Sequence, residues 1–272
     1  MFRSLVGAVA LVVAAGAAQA QSIVSTGQSF ISARFLPGAQ LEDGSRMAGL
    51  RLMLEDGWKT YWRSPGDAGI PPRLDWSGSR NIASAEVLWP RPEVFQSFGL
   101  RTIGYSGQVV LPVRLVPDDP DAPMDVVLTA DLGVCKELCV LERFDLAETI
   151  PPGGRSIGWR QINRALEAVP VDAADAGMTA STCRITGAGV ERRLEAVLEF
   201  GALTSGVEVL VEGDETLWVR DAESEARDGQ VHVHANVRLA DGAGWLDRSA
   251  IRMTVLADGF AADIRGCRSS AG

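Results

Sequence analysis

The stretch Asp125-Val126-Val127-Leu128-Thr129-Ala130-Asp131-Leu132-Gly133-Val134-Cys135-Lys136-Glu137-Leu138-Cys139-Val140 decides how the chain reads. Its first half alternates with the two-residue period of a strand and delivers two cysteines with three residues between them. Two sulfurs this close can close a small-ring disulfide, hold a soft metal together, or shuttle between dithiol and disulfide. So short a loop constrains the unfolded chain little, and a strained, exposed disulfide tends to be reactive.

Working outward, the same short period recurs. Ser29–Phe35 and Gly49–Leu54 read as strands before the Glu55-Asp56-Gly57 turn. The aromatic run Gly57-Trp58-Lys59-Thr60-Tyr61-Trp62-Arg63 enters a loop dense in proline and glycine, Ser64-Pro65-Gly66-Asp67-Ala68-Gly69-Ile70-Pro71-Pro72, which fixes one backbone path. Residues 73–76, 82–89 and 108–115 read as further strands, with Pro112 marking an edge or a bulge. Many short strands, turn-punctuated and without a helical period, predict a β-sandwich over residues 21–150. Pro151-Pro152-Gly153-Gly154 closes it. Ser156 is the expected N-cap of a short connecting helix with Trp159, Ile162, Leu166 and Val169 on one face, so 151–170 reads as a linker. Strands resume from Met178: 194–200, 207–211, 216–220, 231–239 and 251–256. Residues 171–272 are therefore a second, smaller β-domain, and the chain is all-β with two sandwich domains.

The first twenty residues read as an export signal: Arg3, an apolar core from Leu5 to Ala15, and an Ala18-Gln19-Ala20 cleavage site. No later stretch approaches the length of a membrane span. A formal charge of −9 argues against nucleic acid and anionic membrane surfaces, and cleavage removes one arginine and no acid. In an oxidising compartment four cysteines default to two disulfides with three possible connectivities, and local spacing favours Cys135–Cys139, leaving Cys183–Cys267.

Lys59 and Lys136 are the only lysines; Lys136 lies between the paired cysteines, where an ammonium favours a thiolate. The spacing also occurs in copper-binding redox proteins, but the stretch offers neither histidine nor methionine as a third ligand. His232 and His234 share one face of a strand, opposite Val231, Val233 and Ala235, and should meet solvent. No nucleophile elbow, phosphate loop or zinc-protease motif is present. Four of the seven tryptophans (Trp58, Trp62, Trp76, Trp89) and both tyrosines (Tyr61, Tyr105) fall in the domain with the cysteine pair. Phe95 and Phe98 lie in a segment without a clear period, which reads as a loop able to fold over the sulfurs.

In order, the run from Gly57 to Pro71, Trp89-Pro90 with Pro92, Gly104-Tyr105-Ser106-Gly107, Leu111-Pro112-Val113, Cys135 and Cys139 resemble the periplasmic N-terminal domain of DsbD, and more closely its ScsB-like relatives. The resemblance covers residues 30–150 well and 171–272 loosely. It implies an immunoglobulin-like thiol–disulfide relay between a membrane-embedded electron donor and periplasmic thioredoxin-fold proteins. Cys139 would form the mixed disulfide and Cys135 would resolve it. A cap loop over Glu93–Gly99, with Phe95 or Phe98, would shield the pair, and Tyr61 and Tyr105 would line the site. No organic cofactor or metal is required. The spacing of three departs from the five of the best-known member, and neither a membrane domain nor a thioredoxin-like domain is found in this sequence. The rival reading is a non-catalytic binding module, handling copper through the pair or carrying two inert disulfides.

Overall fold

The computed structural model describes residues 29–97, 99–156, 158–201, 206–214, 217–240 and 247–269. The export signal and Phe98 lie outside them. Ten strands come first: β1 (Ile31–Gln40), β2 (Arg46–Leu54), β3 (Lys59–Gly66), β4 (Arg73–Asp75), β5 (Ser84–Val87), β6 (Glu93–Ser97), β7 (Leu100–Ser106), β8 (Gln108–Val116), β9 (Met124–Cys135) and β10 (Cys139–Ile150). After helix α1 (Trp159–Leu166) come β11 (Val171–Asp172), β12 (Met178–Thr186), β13 (Glu191–Phe200), β14 (Glu208–Glu212), β15 (Leu217–Arg227), β16 (Gln230–Leu239), β17 (Arg252–Ala257), β18 (Phe260–Arg265) and β19 (Arg268–Ser269). The chain is all-β. Among the described residues no helix is long and apolar enough to cross a membrane.

The first sandwich faces a sheet ordered β1-β2-β8-β5 against one ordered β10-β9-β3-β7-β6, with β4 also paired to β9. Alternation builds its core: Leu50 and Leu52 from β2, Leu128, Leu132 and Val134 from β9, and Trp62 from β3 point inward. Trp58 is buried there too, and Trp76 and Trp89 pack against it partly exposed, so these tryptophans are core residues. Pro112 is not on an outer strand. It sits in β8 where the pairing with β5 ends, Val87 lying opposite Val113. Beyond that point the Leu88 N–H donates to the Pro112 carbonyl, so no ladder donor is demanded of the proline.

Two expectations about the connector change. The N-cap of α1 is Gly158, with no side-chain cap, and the buried Ser156 hydroxyl has no hydrogen-bond partner. The helix also does more than join domains: fully buried Ile162 packs with Leu36, Met47 and Val110 on the outside of the first sandwich.

The second sandwich faces β11-β18-β17-β14 against β15-β16-β13-β12-β19. Its core holds Leu194, Leu198, Val231, Val233, Met253, Val255 and Cys183, the last bonded to Cys267. His232 and His234 stand on the other face of β16, opposite Glu225 and Glu223 of β15. No group of three or more potential metal ligands converges among the described residues.

Candidate redox site

Strands β9 and β10 form one unbroken hairpin, from Ile150 opposite Met124 to Cys139 opposite Cys135. The cysteines are thus its last cross-strand pair, with Cα atoms 4.2 Å apart and their sulfurs bonded. The turn closes through the Lys136 N–H, which donates to the Leu138 carbonyl at 3.1 Å.

Position in the sheet makes the two sulfurs unequal. β9 is interior, and Lys59 of β3 lies opposite Cys135 on its far side. β10 is the outermost strand. Cys135 is accordingly 9% exposed, whereas Cys139 is open to solvent. Around Cys139 the apolar side chains Leu138 and Leu141 are also exposed, at 58% and 64%.

Both cysteines lie on the outer face of the sheet, since Leu132 and Val134 take the inward positions of β9. The Pro/Gly-rich loop after β3 covers that face. It lays Ile70 beside Gly133 and holds the ring of Tyr61 between two glycines. A Cβ on Gly133 would come within 2.7 Å of Ile70 and 3.1 Å of the Tyr61 ring; one on Gly69 would meet that ring at 2.7 Å. Absence of side chains at both positions is what admits the phenol. Its hydroxyl donates to the Cys135 sulfur at 2.9 Å and lies 3.7 Å from that of Cys139. Burial raises the Tyr61 pKa above the ordinary phenol value, so this group is a donor throughout the neutral range.

The other expected residues divide. The Tyr105 hydroxyl is committed to the Pro90 carbonyl, at 2.8 Å, and burial pushes its pKa well above the phenol range, against a smaller opposing effect from Arg63. Lys136 reaches back over Gly57, and its ammonium donates to the Asp56 carbonyl at 3.2 Å. Phe95 is not in a loop: it belongs to β6, the outer arm of a hairpin in which Phe95 lies opposite Thr102. Its one link toward the site is Lys59, whose ammonium sits 4.2 Å above its ring and whose backbone pairs with Cys135. Ile70, Gly69 and Gly133 carry no individual signal in the sequence; the Pro/Gly density around Gly69 and Ile70 hints at a shaped cover, and Gly133 reads as an ordinary strand position of β9.

Residues 32–151 match the family described as the thiol:disulfide interchange protein DsbD, N-terminal. Over that segment the chain resembles the N-terminal domain of DsbD. Across 90% of its length the chain is similar in fold to the N-terminal periplasmic domain of ScsB from Proteus mirabilis, covering 95% of that chain with a TM-score of 0.70 at 23% identity. No curated protein matches the sequence. The Cys135–Cys139 disulfide and Tyr61 both fall inside the matched segment. The similarity to ScsB extends the likeness of fold through the second sandwich.

Proposed function

We propose that the chain is an exported periplasmic thiol–disulfide interchange protein that passes two electrons from a membrane-embedded donor to thioredoxin-fold proteins. The observation that carries this reading is the inequality of the bonded sulfurs. Cys139 is exposed on an outermost strand, while Cys135 is buried and held by the Tyr61 hydroxyl. In this reading residues 21–150 form the redox domain, 151–170 the connector and 171–272 the second domain, with Cys183–Cys267 a structural staple.

In the reduced protein the Cys139 thiolate attacks the disulfide of a partner. A sulfur–sulfur bond forms to Cys139 and the partner's own disulfide breaks, releasing one partner thiolate that takes a proton from water. Cys135 then gives up its proton, and its thiolate attacks the Cys139 sulfur. The Cys135–Cys139 bond closes and the second partner thiolate leaves. Two electrons have moved to the partner, and a dithiol donor reverses the sequence to recharge the pair. Tyr61, within reach of both sulfurs, stabilises whichever carries negative charge. Phe95, under the Lys59 ammonium, stands on the Cys135 side of the pair and leaves Cys139 open to a partner.

The test is covalent trapping. Cys135→Ser leaves an exposed nucleophile that cannot be resolved and should accumulate mixed disulfides with thioredoxin-fold proteins; Cys139→Ser should not. A clean monomer of Cys135→Ser on a non-reducing gel would count against the relay and leave an inert staple as the reading.

A further inference from the structure

The two sandwiches meet through a strand with two faces. In β14, Val209 and Val211 enter the core of the second sandwich, while Glu208, Leu210 and Glu212 point the other way. Leu210, with Leu256 and Ala261, joins the apolar cluster of Trp62, Ile103 and Tyr105 in the first sandwich. On either side of that apolar contact stands an ion pair. The Arg63 guanidinium takes Glu212 as a fork at 2.9 and 2.7 Å, donates to Thr254 at 3.1 Å and lies 3.8 Å above the Trp62 ring. Arg101 donates twice to one oxygen of Glu208, at 2.9 and 2.6 Å. The side chains of Arg63 and Glu212 are only 14% and 10% exposed, which places this pair beyond the weak surface class.

Both arginines belong to the segments that build the candidate redox site. Arg63 is two residues past Tyr61, where the β3–β7 ladder breaks between Tyr61↔Gly104 and Gly66↔Thr102. Arg101 lies in β7 opposite Gln96, next to the pairing of Thr102 with Phe95, and β6 has no other strand to hold it. Backbone ladders are therefore thin at these two points. Side chains of the second sandwich grip the chain at both.

We propose that Glu212 and Glu208 are positioning residues: the second sandwich holds Tyr61 against Cys135 through Arg63, and the hairpin that carries Phe95 against Lys59 through Arg101. This rests on the reading of Cys135–Cys139 as the exchanging pair. The two grips act on different segments, and only one of those segments carries a group that touches the sulfurs. Freeing Tyr61 removes the donor that stabilises the departing Cys135 thiolate and slows attack on Cys139. Freeing the hairpin moves Phe95 off Lys59 but leaves the Tyr61 donor in place and Cys139 as open as before, so reduction keeps its rate.

The experiment uses the full chain with dithiothreitol as probe, comparing wild type, Glu212→Gln and Glu208→Gln by mass-tag counting of Cys135 and Cys139 thiols. Hydrogen–deuterium exchange is read over 58–66 and 93–106. Glu212→Gln should slow reduction about tenfold, the effect of a lost charge-assisted hydrogen bond, and raise exchange over 58–66. Glu208→Gln, whose side chain is 39% exposed and whose loss the fold tolerates more readily, should keep the wild-type rate of reduction and raise exchange over 93–106. General loosening would accelerate both variants, and that result, or wild-type rates and exchange in both, overturns the proposal. A wild-type pair as resistant as Cys183–Cys267 instead defeats the exchange function. The grip is then judged by exchange alone: unchanged protection in both segments overturns it, and lost protection in each keeps it.

Discussion

The two disulfides sit in similar β surroundings and differ in almost every physical respect. Cys183 is buried in the core of the second sandwich and its bond to Cys267 spans 84 residues. Cys135–Cys139 spans four, at the mouth of a hairpin whose strands are already paired along their length. By the chain-entropy argument the long closure is worth about 4.5 kcal/mol and the short one about 2 kcal/mol. The hairpin register would bring Cys135 and Cys139 together without a covalent link, which lowers the need for the second figure further. A bond that the fold does not need can be opened and closed without unfolding the protein. What the comparison teaches is that spare stability, one exposed sulfur and one hydrogen-bond donor set Cys135–Cys139 apart from the bond that closes a core.

Denaturation of the oxidised full chain sharpens this most. Cys183→Ser/Cys267→Ser should lose about 4 kcal/mol, and Cys135→Ser/Cys139→Ser about 2 kcal/mol or less. Equal losses would break the contrast. Next in size is the donor. Tyr61→Phe removes a hydrogen bond to a sulfur that becomes a thiolate, worth about 1.5–3 kcal/mol, so single-turnover reduction of Cys135–Cys139 should slow roughly ten- to a hundredfold. Cys183–Cys267, which belongs to the core cluster of the other sandwich, should be untouched; a variant that exchanges like wild type would remove Tyr61 from the mechanism. The smallest effect is alkaline. Burial raises Tyr105 well above its ordinary value of 10.0, so the fold favours the neutral phenol. Its contribution is complete below about pH 10 and is lost as pH rises from there toward the folded-state pKa. Stability should fall through this window in wild type and fall less in Tyr105→Phe, and parallel curves would show that other groups carry the alkaline limb.

Much of the fold was legible because one-sided burial writes a two-residue period. The strands expected at 73–76, 82–89 and 108–115 appear as β4, β5 and β8, and those from 194 onward as β13 to β17, most of them within a few residues. The Phe95 hairpin was not legible. β6 is an outermost strand bonded to β7 alone, so its side chains are not sorted into strict inside and outside. The cysteines announced themselves by spacing. Tyr61 was found only through family resemblance, since no local pattern says that a phenol 74 residues before Cys135 will touch it. The ion pairs between sandwiches were missed for the same reason: Glu208-Val209-Leu210-Val211-Glu212 reads as an ordinary strand, and its arginines lie more than a hundred residues upstream.

The seating of α1 bears on where this protein can be cut. The family match ends at residue 151, yet the first sandwich continues to make bonds well past it. Arg46 donates to the carbonyls of Pro151 and Gly153, the Ser156 N–H to Gly38, and the Arg91 N–H to Ala168. Ile162 fills the space over Leu36, Met47 and Val110. A fragment stopped at 150 would expose that apolar face and leave a buried arginine short of acceptors, whereas one carried through Ala168 keeps both. A cut that keeps these contacts of the first sandwich therefore falls after the helix that, in sequence, looks like the tether leading away from it.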